Sequence, residues 1–198
     1  MTDRTNSVVP VAIVGLGRAG WGIHVPALEA WKRADAAITK LLQVNIEEAD
    51  RLAEILDGEG TILVRNPEPE AGLAGSLRIG VAEIRRRFPG AEAILVLLGD
   101  QPLVRAEVIE RLLAEATRTD RPFVVPRYAE GGGPNPVLVR RAAWDLVEAA
   151  EGDRGLGPLL AARPELVAEV AVEGANPDVD TPLELVRLEW AERVRRNR

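Results

Sequence analysis

An α/β fold with a mainly parallel sheet is the class this sequence predicts, and three observations predict it. Apolar runs of strand length alternate along the chain with segments of helical periodicity. The run "AEAILVLLGDQP" (91–102) stays apolar from Ala93 to Leu98, as a central parallel strand covered on both faces must. Turns rich in Gly and Pro separate the segments, with no internal repeat and no interdomain linker, so a single domain over 1–198 is expected.

Each element follows from local pattern. Residues 8–14 are a continuous apolar run, read as a buried strand, and the turn Gly15-Leu16-Gly17-Arg18-Ala19-Gly20 closes it. A helix is expected over 21–31, a strand within 36–45, and a helix over 46–58 ended by Gly58. A short strand at 61–64 enters the Pro- and Gly-bearing loop 66–72. Over 76–88, Leu77, Val81, Ile84 and Phe88 share one face opposite an arginine-rich one, which predicts a helix with Ser76 as its N-cap. After the strand within 91–102 come a helix (107–116), a strand (121–128), a Gly/Pro loop (129–136) and a further strand (137–141). A helix (142–150), a loop into a short helix (152–164), a strand (166–174) and a terminal helix with Pro182 in its first turn complete the chain.

Composition narrows the function. The chain has 198 residues, 46% hydrophobic and 28% charged, with a formal net charge of -6. That size supports an ample core. The acidic balance argues against nucleic acid or an anionic membrane as partner. Cys is lacking and His24 is the single histidine, which excludes thiolate and multi-histidine metal sites and disulfides. The start "MTDRTNSVVP" has no signal-peptide pattern and no apolar stretch reaches the ~20 residues of a membrane span, so the cytoplasm is the expected compartment.

Four segments carry candidate chemistry. Asp100 stands where the strongest strand stops, at the sheet edge where ligands of parallel α/β folds bind. A carboxylate there suits Mg²⁺, which takes a few carboxylates plus phosphate oxygens and water; the alternative is a turn-forming Asp that caps the next helix. In "GANPDVDTPLEL", Asp178 and Asp180 stand two apart before a helix start. They can hold a cation, or one of them can simply cap the helix. In "NPEPEAGLAGSLRIG", small residues and the helix start near Ser76 offer backbone to an anion or a base edge, or form an ordinary loop and cap. The loop in "GGGPNPVLVRR" can close over a substrate or be a plain turn.

Taken together these segments resemble the molybdenum-cofactor nucleotidyltransferase (MobA-like) family from Asn66 to about Leu185. The matching motifs are the Asn-Pro loop, "GLAGSLRIG" for G-x-x-x-S-L-x-x-G, Asp100-Gln101-Pro102 for D-x-P, and "PNPV" for "GHPV". Gly152-Asp153-Arg154-Gly155 matches G-D-x-G, and "DVDTPLEL" matches D-x-D-T-P-x-D-L. The resemblance implies a three-layer Rossmann-like sandwich. It implies transfer of CMP or GMP from CTP or GTP to a phosphorylated acceptor such as molybdopterin, with release of pyrophosphate. It also implies that Asp100 and Asp180 hold Mg²⁺, with Asp178 as a second candidate, and that Gly75 and Ser76 contact the base. The family opens with L-A-A-G-x-S-x-R-M-G-x-x-K, where this chain has "GLGRAGWG". Gly15, Gly17, Arg18 and Lys40 are the candidate replacements for its phosphate grip. Asn135 stands where the family pattern has histidine.

The opening "VAIVGLGRAGWGIHVPAL" is similar instead to the start of NAD(P) dehydrogenases of the glucose-fructose oxidoreductase type. In that family the second strand ends in an acid for the ribose, and here Asn45 holds that place. Two further readings follow: a nucleotide-binding pseudoenzyme with a degraded triphosphate loop, and a truncated NAD(P)-binding fragment. Tight NAD(P) binding is not expected, since the similarity ends near Gly60 and the large sheet domain of that family is missing.

Overall fold

The structure is a computed structural model that describes residues 11–16, 40–44, 62–68, 72–101, 103–152 and 154–196. The helices expected over 21–31 and 46–58, and the site candidates Gly17 and Arg18, lie outside the described residues.

Among the described residues seven strands form one sheet in the order β3-β2-β1-β4-β6-β5-β7. They are β1 (Val11–Leu16), β2 (Lys40–Val44), β3 (Ile62–Arg65), β4 (Ala93–Leu98), β5 (Phe123–Tyr128), β6 (Val137–Arg140) and β7 (Val167–Val172). The described helices are α1 (Gly72–Arg87), α2 (Ala106–Ala116), α3 (Trp144–Glu148), α4 (Gly157–Ala162) and α5 (Pro182–Arg196). β1, β2, β3 and β4 pair in parallel, as do β5 and β7. β6 runs antiparallel to both β4 and β5. The mainly parallel sheet is therefore as expected, with one reversed strand in its middle. That reversal matters: Val137, the first residue of β6, stands level with Val96 near the carboxyl end of β4. The turn Pro134-Asn135-Pro136 is thereby delivered to the same edge as Asp100.

The β4 sequence explains the layering. Its side chains alternate, so Ala93, Leu95 and Leu97 join one core cluster and Ile94 and Val96 the other. The first cluster is closed by Val108 and Leu112 of α2. The second is closed by Leu77, Val81 and Ile84 of α1, by Trp144 and Val147 of α3, and by Leu160 of α4. Helices thus cover both faces, the three-layer sandwich. Each fully buried Leu, Ile or Val contributes roughly 1.5–3 kcal/mol of apolar transfer, so the two clusters anchor the central strands firmly. Trp144 is fully buried; its Nε1 donates to the Val139 carbonyl at 3.3 Å, and Arg141 lies 5.0 Å from its ring centroid.

Helix α1 begins at Gly72, four residues ahead of the expected cap, so Ser76 sits in the helix rather than at its start. Gly72 has a φ of 76°, a backbone conformation that favours glycine and sets where the helix begins. On the exposed face of α1, Glu83 accepts hydrogen bonds from Arg86 and Arg87, and these hold its pKa down at about 2 from an ordinary 4.5. The folded value lies below the unfolded one, so this contribution is complete above about pH 4.5 and is lost as pH falls toward 2. A carboxyl-carbon NMR titration is expected to show Glu83 ionised at pH 3.5. Arg86→Ala should move its midpoint upward.

Candidate active site

The carboxyl edge of the parallel strands gathers the sequence motifs. β4 ends at Leu98, and the turn that follows is closed by the Gln101 amide on the Leu98 carbonyl at 3.4 Å. The Asp100 carbonyl accepts the Val179 N–H at 2.9 Å. That single bond sets the segment 176–180 against the end of β4, across a long separation in sequence. Val179 is buried while Asp178 and Asp180 on either side are exposed, so a hydrophobic anchor holds an acidic strip at the edge.

The segment 176–180 is delivered by an extension of the β5–β7 pairing. Ala129 N–H donates to the Val172 carbonyl at 2.9 Å and Glu130 N–H to that of Gly174 at 3.0 Å, and Gly132 bridges Asn176. The Gly-rich loop is therefore neither a plain turn nor a free flap: it is the track along which the acidic segment runs.

Behind the acids lies a network of buried amides. Gln101 is 3% exposed and Asn176 fully buried. Gln101 Nε2 donates to Asp178 Oδ1 at 2.7 Å, and Asn176 Nδ2 donates to Gln101 Oε1 at 3.0 Å and to the Asn135 carbonyl at 3.2 Å. Tyr128 Oη donates to that same carbonyl at 3.1 Å. Burial pushes the Tyr128 hydroxyl up to about 12, which keeps it a proton donor at neutral pH. The roles of Gln101 and Asn176 are not signalled by any motif in the sequence. Their one signal is position, an amide directly beside Asp100 and another two residues before Asp178.

The helix-capping alternative for the aspartates is overturned. Thr181 caps α5: its Oγ1 accepts the Glu184 N–H at 3.3 Å, and Glu184 Oε2 accepts from the amides of Asp180 (3.0 Å) and Thr181 (2.9 Å). This is a Thr-x-x-Glu capping box. The Thr181 hydroxyl leads in holding the Glu184 carboxyl below its usual range, with backbone amides adding to it. The Asp178 and Asp180 carboxylates are thus not needed for the cap. Thr181→Ala is expected to cost about 1 kcal/mol of helix stability, seen as faster amide exchange in the first turn of α5.

The other motifs converge on the same edge. Asn66, at the end of β3 and 2% exposed, donates from Nδ2 to Ser76 Oγ at 3.1 Å and accepts the Glu68 N–H at 2.9 Å. The Asn-Pro loop is thereby locked to α1, with Gly75 buried in its first turns. The Ala74 amide donates to the Gly152 carbonyl at 3.2 Å, so the loop holding Gly152 and Gly155 packs over the start of α1. Gly15 lies just past Val14, which pairs with Leu98, and so belongs to the same edge. Lys40 does not: it opens β2 level with Val11, at the amino ends of the strands. A five-residue strand at ~3.3 Å per residue separates it from the carboxyl edge, too far for a phosphate grip there.

Asp100, Asp178 and Asp180 offer hard oxygen donors, the type Mg²⁺ and Mn²⁺ prefer. Among the described residues no three acidic or histidine groups form a closed metal cluster. The donor set fits an ion held by one or two carboxylates that takes its remaining oxygens from phosphate and water.

Residues 27–169 match the model of the MobA-like NTP transferase domain. The chain belongs to this family of nucleotidyltransferases. The match starts at Ala27, so it takes in β2 and β3 as well as the motifs from Asn66 onward. A phosphoenolpyruvate guanylyltransferase of Sphaerobacter thermophilus is 30% identical over 165 residues, 82% of this chain and 73% of that protein. The structure of Rv0371c from Mycobacterium tuberculosis in complex with manganese superposes with a TM-score of 0.73 at 27% identity, covering 93% of this chain and 98% of that one. A CMP:2-keto-3-deoxy-manno-octonic acid synthetase complexed with CTP shares the fold, with a TM-score of 0.65 at 16% identity over 93% and 98% of the two chains. Among the described residues no helix is long and apolar enough to cross a membrane.

Proposed function

We propose that this nucleotidyltransferase transfers GMP from GTP to a small phosphorylated acid of the phosphoenolpyruvate type, with Asp100, Asp178 and Asp180 holding the Mg²⁺ of the reaction. The observation that carries the site is the Val179 N–H on the Asp100 carbonyl at 2.9 Å, which keeps the acidic segment beside the end of β4. The guanylyltransferase relative supports the choice of nucleotide and acceptor, and the manganese complex of the mycobacterial neighbour supports a divalent ion.

An oxygen of the acceptor phosphate attacks the α-phosphorus in line; a new P–O–P link forms and the bond to pyrophosphate breaks. The protein's part is mainly positioning and charge placement. Gly75 and Ser76, in the first turns of α1, face the base, and Gly15 lets the triphosphate approach the end of β1. The divalent ion supplies neutralisation of the phosphate charge. No protein nucleophile is required, in keeping with a chain without Cys and with one His.

The test is pyrophosphate release with GTP, CTP, ATP or UTP, each paired with phosphoenolpyruvate or molybdopterin as acceptor. GTP with phosphoenolpyruvate should give the fastest release, dependent on added Mg²⁺. Turnover with molybdopterin alone would move the acceptor class, and turnover of no pair would leave nucleotide binding without catalysis.

A further inference from the structure

We propose that Gln101 and Asn176 are positioning residues: a buried amide relay that holds the Asp178 carboxylate in place for the divalent ion. This rests on the metal-dependent reading of the site. The orientation of each amide is forced in turn. The Asn135 carbonyl can only accept, so Asn176 must face it with Nδ2. The same nitrogen lies 3.0 Å from Gln101, which therefore presents Oε1 to it. Gln101 is left with Nε2 toward Asp178, and it donates at 2.7 Å. One backbone carbonyl thus decides, through two side chains, that Asp178 meets a donor.

The arrangement carries a cost that marks it as more than packing. Among the described residues Asn176 Oδ1 is buried without a hydrogen-bond partner, and an unsatisfied buried acceptor destabilises the fold. Turning the amide over would set Oδ1 against two acceptors and break the chain of donors to Asp178. The relay also discriminates between the two exposed aspartates: Gln101 orders Asp178, while the backbone amide of Asp180 is taken by the cap through Glu184.

The experiment measures Mn²⁺ affinity from the free-ion EPR signal, with the ion alone and with GTP, for the wild type, Gln101→Leu, Gln101→Ser, Asp178→Asn and the Gln101→Leu/Asp178→Asn double variant. Gln101→Leu is expected to weaken Mn²⁺ binding by about 10- to 100-fold, the usual effect of losing a group that orients a ligand. The KM for metal in pyrophosphate release should rise with it more than kcat falls. In the double variant the Gln101 change should add nothing, because it acts through Asp178. Gln101→Ser leaves room for a water and serves if the leucine variant does not fold. Wild-type affinity in a folded Gln101 variant, or full additivity with Asp178→Asn, overturns the relay. A wild-type protein that binds no Mn²⁺ and releases no pyrophosphate overturns the reading of the site, and the relay with it.

Discussion

Asp100→Asn should lower the rate of pyrophosphate release by about 10²- to 10⁴-fold, the loss expected when an ion worth several kcal/mol to the transition state is no longer held. The fold should survive. The bond that sets the segment 176–180 against β4 uses the Asp100 carbonyl, which accepts the Val179 amide and is untouched by the change. Asn matches Asp in shape, so the turn after β4 keeps its packing while one negative charge is removed. The loss should fall in kcat and in the metal dependence, and higher Mg²⁺ should restore part of it. Asp178→Asn is expected to behave in the same way, since Thr181 and Glu184 rather than Asp178 cap the terminal helix. The Asp100→Asn/Asp178→Asn double variant should be little worse than either single one, because both disable one ion. Multiplied losses would show that the two carboxylates serve different steps. An Asp100→Asn enzyme with wild-type turnover and an intact melting transition would remove Asp100 from the chemistry.

The strands and the acids were legible because their signals are local. Six consecutive apolar residues ending in Gly-Asp announce β4 and its edge, and the periodicity of Leu77, Val81 and Ile84 announces α1. Ser76 has the chemistry of a cap, yet α1 begins at Gly72. Its hydroxyl is instead engaged by Asn66, a tertiary contact that no local pattern carries. The aspartates of 176–180 were visible, but their alternative role as a cap was open until Thr181 and Glu184 proved to satisfy each other. The relay was not legible at all: Gln101, Asn135 and Asn176 come from three distant loops, and they meet because β6 runs backwards between β4 and β5. Lys40 shows the converse. The resemblance of its segment to the family's makes it a candidate phosphate ligand, but strand register puts it at the other end of the sheet.

Gly132→Ala should disable the site from outside it. Gly132 has a φ of 126°, where side-chain-bearing residues are strained by about 1–3 kcal/mol. The greater problem is space. A Cβ at Gly132 would stand 2.8 Å from the Asn176 carbonyl oxygen and 3.0 Å from its nitrogen, both backbone atoms. Backbone cannot rotate aside as a flexible side chain can, so the segment beginning at Asn176 must move. That segment carries the amide that orients Gln101, the carboxylate of Asp178 and the Val179 anchor on Asp100. Gly131 supplies the control. Its φ of 97° is also unfavourable for alanine, but a Cβ there meets nothing within 4 Å among the described residues. Both variants should therefore melt earlier, Gly132→Ala by more because the clash adds to the strain, while only Gly132→Ala should lose Mn²⁺ affinity and at least about tenfold in turnover, on the scale of a displaced ligand-orienting group. Equal activity in the two alanine variants would mean that the Gly-rich loop bears on stability alone. Loss confined to Gly132→Ala would show that the track between β5 and β7 sets the acidic segment against the end of β4.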